Sequence, residues 1–224
     1  MSALSCASLL RQLPPPAPDE RPGAQRRRAA ALAEVCADAL VEPAYSVRIV
    51  ALEAPPGAIL RAGGQCLHAP RLVPASGRLT ALGAVACTLG PRLEERVRAH
   101  FAARRPAAAL ALDELGTALL LALVRHAQDR LVAQAARRGL SVAGELAAGD
   151  PGLALDAQAT VLQLADGAAI GMRASAAGAL HPLKSCTSVH GVGIALPATA
   201  WSRCDACPSA PRCTIARRRK EIPA

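Results

Sequence analysis

The chain has 224 residues, of which 52% are hydrophobic and only 1% aromatic, and its formal net charge is +9. This length suggests one domain with a small appendage, whose core must be built from alanine, leucine and valine. A basic chain could bind nucleic acid, but so few aromatic side chains leave little for bases to stack on, which argues against such a partner.

Composition divides the sequence into three parts. Residues 1–22 are rich in proline, with a run at residues 14–16, and are predicted to form a disordered leader. Residues 23–200 are predicted to form one α+β domain, and residues 201–224 a tail rich in cysteine and basic residues. No secretory signal is evident, and the most apolar run, residues 118–124, is shorter than the roughly 20 residues that cross a bilayer. We therefore expect a cytoplasmic protein without a membrane partner, whose cysteines stay reduced.

The first half of the domain is predicted to alternate between helices and strands. A helix fits residues 25–40, and residues 45–52 alternate side chains in the manner of a half-buried strand. Short strands are expected at residues 58–61 and 79–87. Pro91 then suits the first turn of a helix, because its fixed φ angle and missing N–H cost nothing there.

The second half is predicted to contain a long central helix over residues 107–138, with an acidic start at Asp113 and Glu114. Its middle is apolar on all sides, which is typical of a buried helix. The later elements are expected to be a turn at residues 149–152, a helix at 155–166, a strand at 169–175 and a strand at 185–196. Together these elements predict an α+β fold in which helices pack on an antiparallel sheet.

The tail contains three closely spaced cysteines, Cys204, Cys207 and Cys213. Two thiolates two residues apart can converge on one metal atom, so this spacing predicts a metal site that could hold zinc or an iron–sulfur cluster. Cys186 is a candidate fourth ligand. The spacing does not choose between the two metals, and a zinc knuckle that pins the tail or a set of free thiols are the structural alternatives.

Several short segments, taken in order, resemble the activation (reactivation) domain of cobalamin-dependent methionine synthase, and especially the stand-alone proteins that are similar to that domain. The matching segments are residues 86–90, 112–116, 150–152, 155–158, 169–173, 182–185 and 189–193, followed by the cysteine loop. The resemblance implies a twisted antiparallel sheet packed with helices and a shallow groove that binds S-adenosylmethionine. It also implies docking on a cobalamin-carrying partner, either a corrinoid protein or cobalamin-dependent methionine synthase. There the oxidised cobalt would be reduced and remethylated, with S-adenosylmethionine as the methyl donor.

The resemblance also implies which residues would line the groove. The Lys184 ammonium and the Ser185 hydroxyl, which follow Pro182, would contact a carboxylate of the ligand or a side chain of the corrinoid. Gly152 would let a ligand approach the backbone closely, and Gln158 would offer it a hydrogen bond. Read without the resemblance, the same positions fit an exposed lysine, a plain turn and a helix cap. We expect the turn at Gly152 and the strand at Lys184 to border one cleft.

A second hypothesis starts from two departures from the methionine synthase pattern. Ala148 and Leu153 stand where that pattern has an arginine and a tyrosine. The chain could therefore be a metal-binding adaptor, with zinc or an iron–sulfur cluster, that has lost the adenosylmethionine site. The sequence shows no Ser-His-Asp order, phosphate-binding loop or Gly-x-Gly-x-x-Gly fingerprint, so neither hypothesis assigns a catalytic residue to this chain.

Overall fold

The computed structural model describes residues 4–13, 15 and 21–197. The helices are α1 (Cys6–Leu10), α2 (Pro22–Ala37), α3 (Arg92–Ala102), α4 (Pro106–Ala136) and α5 (Gln158–Leu164). The strands are β1 (Ala44–Ala51), β2 (Ile59–Ala62), β3 (Gln65–His68), β4 (Arg78–Thr88), β5 (Ser141–Leu146), β6 (Arg173–Ala174), β7 (Leu180–His181) and β8 (Ser185–Ile194). Short 3-10 turns connect them at Pro70–Leu72, Leu155–Ala157 and Gly167–Ile170.

The main sheet has four strands in the order β1-β4-β8-β5, and every neighbouring pair is antiparallel. The central pair, β4 and β8, runs in register from Arg78 opposite Ile194 to Thr88 opposite Ser185, with one shift between Leu79 and Ala81. Strands β2 and β3 form one small hairpin and β6 and β7 form another. The predicted α+β fold with an antiparallel sheet is confirmed.

The sheet separates two hydrophobic cores, because successive side chains of a strand point to opposite faces. Val85 and Cys87 of β4 pack into the core beneath helices α1 to α4. Ala84 and Ala86 of the same strand pack into the second core with Val161 of α5. We call these two sides of the sheet the α4 face and the α5 face.

Helix α4 is the central element of the α4 face and contacts all four strands of the main sheet. It begins at Pro106, so Asp113 and Glu114 lie in its third turn and not at its start, contrary to the prediction. By length and composition alone it could also cross a membrane, and 44% of its most apolar window is buried. The expectation that no segment is long enough considered only residues 118–124 and ignored the alanines on either side. This finding is weak evidence for a membrane, since the core helix of a soluble protein passes the same test.

The structure differs from the predicted disordered leader over residues 4–13. Ser5 accepts a hydrogen bond from the Ser8 backbone N–H at 3.2 Å and begins α1. Leu9 of this helix is fully buried in the core of the α4 face, and Leu4 and Leu13 pack against the same core. Residues 4–13 therefore belong to the folded body.

The strands differ from the prediction at four places. Strands β3, β5 and β7 were not expected from the sequence. The strand predicted at residues 169–175 is mostly the 3-10 turn Gly167–Ile170, and only Arg173–Ala174 is strand.

Candidate functional site

An open cleft lies at one end of the main sheet, where β1 begins, β4 ends and the chain enters β8. Its volume is about 440 Å³. The residues that line it are Glu42, Pro43, Ala44, Thr88, Gly90, Pro91, Ile170, Gly171 and Pro182. The segments 86–90, 169–173 and 182–185 each contribute to this lining. Three stretches that are distant in sequence therefore meet at one cleft.

Thr88 is the polar centre of the cleft wall. Its Oγ1 accepts hydrogen bonds from Ser185 Oγ at 2.8 Å and from the Gly90 backbone N–H at 3.2 Å. Thr88 is almost fully buried, and Ser185 lies directly opposite it in the β4–β8 register. The hydroxyl pair thus joins the end of β4 to the start of β8. Through this hydrogen bond Ser185 holds Thr88, which lines the cleft, in position.

Hydrogen bonds made by their backbone groups hold residues 182–184 in place. The Leu183 backbone N–H donates to the carboxylate of Glu94, in the first turn of α3. The Leu89 backbone N–H donates to the carbonyl of Lys184 at 3.0 Å. These bonds position Pro182 at the mouth of the cleft.

The Lys184 side chain extends to the α4 face. Its Nζ lies 2.8 Å from Asp113 Oδ1 and 2.9 Å from Thr117 Oγ1, both on α4. Its methylene chain also passes Gly116, where an added Cβ would lie 3.4 Å from Lys184 Cε. Lys184 therefore anchors the start of β8 to the central helix.

The lining is mostly apolar, with few polar side chains. Pro43, Pro91 and Pro182 supply rigid apolar walls. The polar side chains among the described lining residues are the Thr88 hydroxyl and the Glu42 carboxylate, whose Oε1 lies 3.6 Å from Arg92 Nη1. Apolar walls with a few polar groups are the usual make-up of a ligand-binding cleft, so this lining is suited to hold a ligand.

Gln158 lies on the same face of the sheet as Ser185. It is the first residue of α5, it is 6% exposed, and its Nε2 donates to Thr187 Oγ1 at 2.6 Å. Thr187 follows Ser185 by two residues on β8, which is roughly 7 Å along a strand and on the same face. Gln158 is thus near the cleft wall but does not line the cleft.

The turn at Gly152 lies elsewhere on the α5 face. Gly152 has a φ of +96°, and an added Cβ would lie 2.6 Å from Arg71 Cδ. Arg71 Nη1 donates to the Pro151 carbonyl at 3.2 Å, and Leu153 is buried in the core of the α5 face. Gly152 and Lys184 therefore pack against opposite faces of the sheet and do not border one cleft as expected.

Cys186 lies on the α4 face, directly opposite Cys87 in the β4–β8 register. Burial raises the pKa of the Cys87 thiol, and the neighbouring Cys186 adds to the rise, so Cys87 stays a thiol at neutral pH. The predicted ligands Cys204, Cys207 and Cys213 lie outside the described residues. Within the described part of the chain, no group of three or more histidine, cysteine, aspartate or glutamate side chains could hold a metal ion.

The β1 side of the cleft was not expected from the sequence; it is formed by Glu42, Pro43 and Ala44. The sequence contains one signal, since Glu42 and Pro43 lie just ahead of the first predicted strand, separated from it by Ala44. Proline is also ordinary at the start of a strand, so this signal does not by itself indicate a site. Only the register of Ala44 opposite Thr88 brings these residues to the end of β4.

Comparison with known proteins identifies the fold. No family model matches the chain, and no curated protein matches it either. Among solved structures, the chain is similar to one described as the crystal structure of the MetH reactivation domain bound to AdoHcy. The TM-score is 0.62 and the sequence identity 15%, and the match covers 94% of this chain and 78% of that one. The chain therefore has the fold of the MetH reactivation domain, as the resemblance implied.

Proposed function

We propose that this chain is a stand-alone protein of the reactivation-domain type. It binds an S-adenosylmethionine-type ligand in the cleft at the end of the main sheet. It docks on a partner that carries cobalamin, either a corrinoid protein or cobalamin-dependent methionine synthase, and assists reductive remethylation of the cobalt. This work takes place in the cytoplasm.

One observation carries this proposal. Three of the seven segments that resemble the reactivation domain, 86–90, 169–173 and 182–185, contribute to the lining of the same cleft. The chain has the fold of a domain whose crystal structure is described as bound to AdoHcy, which supports a ligand of this class. A volume of about 440 Å³ is within the range of cofactor sites.

The cleft residues fit an adenosylated amino acid in chemical type. The apolar proline walls would cover the adenine, and the Glu42 carboxylate would accept hydrogen bonds from ribose hydroxyls or an amino group. We propose that the residues predicted for this site serve it mainly by positioning the wall of the cleft; these are Pro182, Lys184, Ser185 and Gln158. The cobalamin of the partner would supply the metal that accepts the methyl group, and this chain would orient the donor and exclude water.

A calorimetric titration with S-adenosylmethionine and with S-adenosylhomocysteine tests the proposal. We expect the wild-type chain to bind at least one of them. Ala44→Phe places a ring in the cleft and should weaken binding by about tenfold or more, which is about 1.4 kcal/mol. The matched control is Ala51→Phe, at the exposed far end of the same strand, which should bind like wild type. Absence of binding to the wild type, or equal weakening by both variants, contradicts the proposal.

A second candidate function is a metal-binding adaptor that keeps the fold without the adenosylmethionine site. Leu153, which stands where the methionine synthase pattern has a tyrosine, is 1% exposed and belongs to the core, so it offers nothing to a ligand. Such an adaptor would bind zinc or an iron–sulfur cluster through Cys204, Cys207 and Cys213, with Cys186 as a possible fourth ligand. Anaerobic purification with metal analysis distinguishes it: bound metal together with no adenosylated ligand favours the adaptor.

A further inference from the structure

A second cleft, which shares no lining residue with the first, lies between α2 and the start of α4. Its volume is about 590 Å³. Four arginines line it, two from the first turns of α2 and two from the connection that precedes α4. The lining residues that matter here are Arg26, Arg27, Arg104 and Arg105.

These four arginines form no ion pair with any residue that the structure describes. By contrast, each arginine of α3 has a carboxylate partner: Arg92 pairs with Glu42, Arg96 with Glu34 and Arg98 with Glu94. The acidic residue that lines the second cleft is Glu34, and its carboxylate already binds His100 Nε2 at 2.9 Å and Arg96 Nε at 3.5 Å. The described part of the cleft therefore carries a cationic excess.

The N-terminal ends of two helices also lie at this cleft, and they add to its excess of positive charge. Helices α2 and α4 both begin here, with 16 and 31 residues, and neither has an acidic residue in its first turn or a side-chain cap. Helix N-termini carry partial positive charge and normally attract acidic residues, each of which stabilises by about 0.3–1 kcal/mol. Among the described residues, arginines and not acidic side chains lie beside these two helix starts, so an anion would be attracted both by the guanidinium groups and by the helix ends.

We propose that this cleft binds a small ligand that carries two or more linked phosphate groups. Guanidinium groups match phosphate oxygens in paired hydrogen bonds, and four of them around one cleft can engage more than one phosphate group. A concave site of this volume suits a small molecule better than a flat polymer surface. The proposal does not depend on the adenosylated ligand of the first cleft.

The test is a calorimetric titration of the full chain with inorganic pyrophosphate at low salt. We expect binding by the wild type, and about tenfold or more weaker binding by Arg104→Gln/Arg105→Gln. The matched control is Arg137→Gln/Arg138→Gln, which removes the same charge from the opposite end of α4, where both side chains are exposed. That control should bind pyrophosphate like wild type.

A second variant, Arg26→Gln/Arg27→Gln, keeps the test decisive if the first fails to fold. It should weaken binding to a similar degree. Three results would overturn the proposal: no binding of pyrophosphate by the wild type, equal loss in the Arg137/Arg138 control, or polyglutamate or random-sequence duplex DNA binding as tightly as pyrophosphate. The last result would assign the cleft to carboxylates or to nucleic acid.

Discussion

Replacing Gly193 by valine is expected to lower the free energy of unfolding by at least about 3 kcal/mol, because there is no space for the added side chain. Gly193 lies near the end of β8, opposite Leu79 of β4. An added Cβ would lie 2.0 Å from the Arg78 carbonyl oxygen and 2.9 Å from Leu79 Cα. Both are backbone atoms, so no rotamer change relieves the clash, and the two central strands must separate. Urea unfolding followed by circular dichroism measures the loss.

The control for this substitution is Gly57→Ala. Gly57 lies between β1 and β2, has no positive φ, and has no atom within 4 Å of an added Cβ. Its replacement should change the free energy of unfolding by less than about 0.5 kcal/mol. If Gly193→Val were as stable as this control, β4 and β8 could not be paired in the register described.

Replacing Leu9 by alanine is expected to destabilise the protein by about 2–5 kcal/mol, the usual cost of removing a fully buried leucine side chain. Leu9 is 0% exposed and packs in the core of the α4 face, although the sequence predicted a disordered leader over residues 1–22. The matched substitution is Leu110→Ala on the exposed side of α4, where leucine is 55% exposed. Chemical unfolding of both variants gives the comparison directly.

The expected result is a large loss for Leu9→Ala and a small change for Leu110→Ala. Equal stability of the two variants would mean that residues 4–13 do not pack on the core in solution. The sequence-based prediction of a disordered leader would then be right and the packed α1 wrong.

The elements that could be predicted from the sequence are those with a clear hydrophobic period. The helix predicted at residues 107–138 is α4 (Pro106–Ala136), and the strand predicted at residues 45–52 is β1 (Ala44–Ala51). Strand β5 was missed because Gly144 adopts a φ of +72° beside a register shift, which breaks the alternation along the strand. Helix α1 was missed because its stability comes from Leu9 in the core and not from its own short sequence.

The candidate site was predictable only in part. The segments that line the cleft were found through the resemblance. The expectation that the side chains of Lys184 and Ser185 both enter one groove did not take the two-residue period of a strand into account. Consecutive residues entering a strand point to opposite faces, so Lys184 reaches Asp113 on α4 while Ser185 reaches Thr88 at the cleft. Ala44 could not be placed there from sequence, because its role depends on long-range pairing with β4.

The most direct test of the central claim is amide hydrogen exchange of the full chain with and without saturating S-adenosylhomocysteine. The ligand should slow exchange in residues 88–90, 169–171 and 183–185, which lie in or beside the cleft wall, and leave residues 148–153 unchanged. Protection confined to residues 148–153, or no protection at all, would contradict the proposed site.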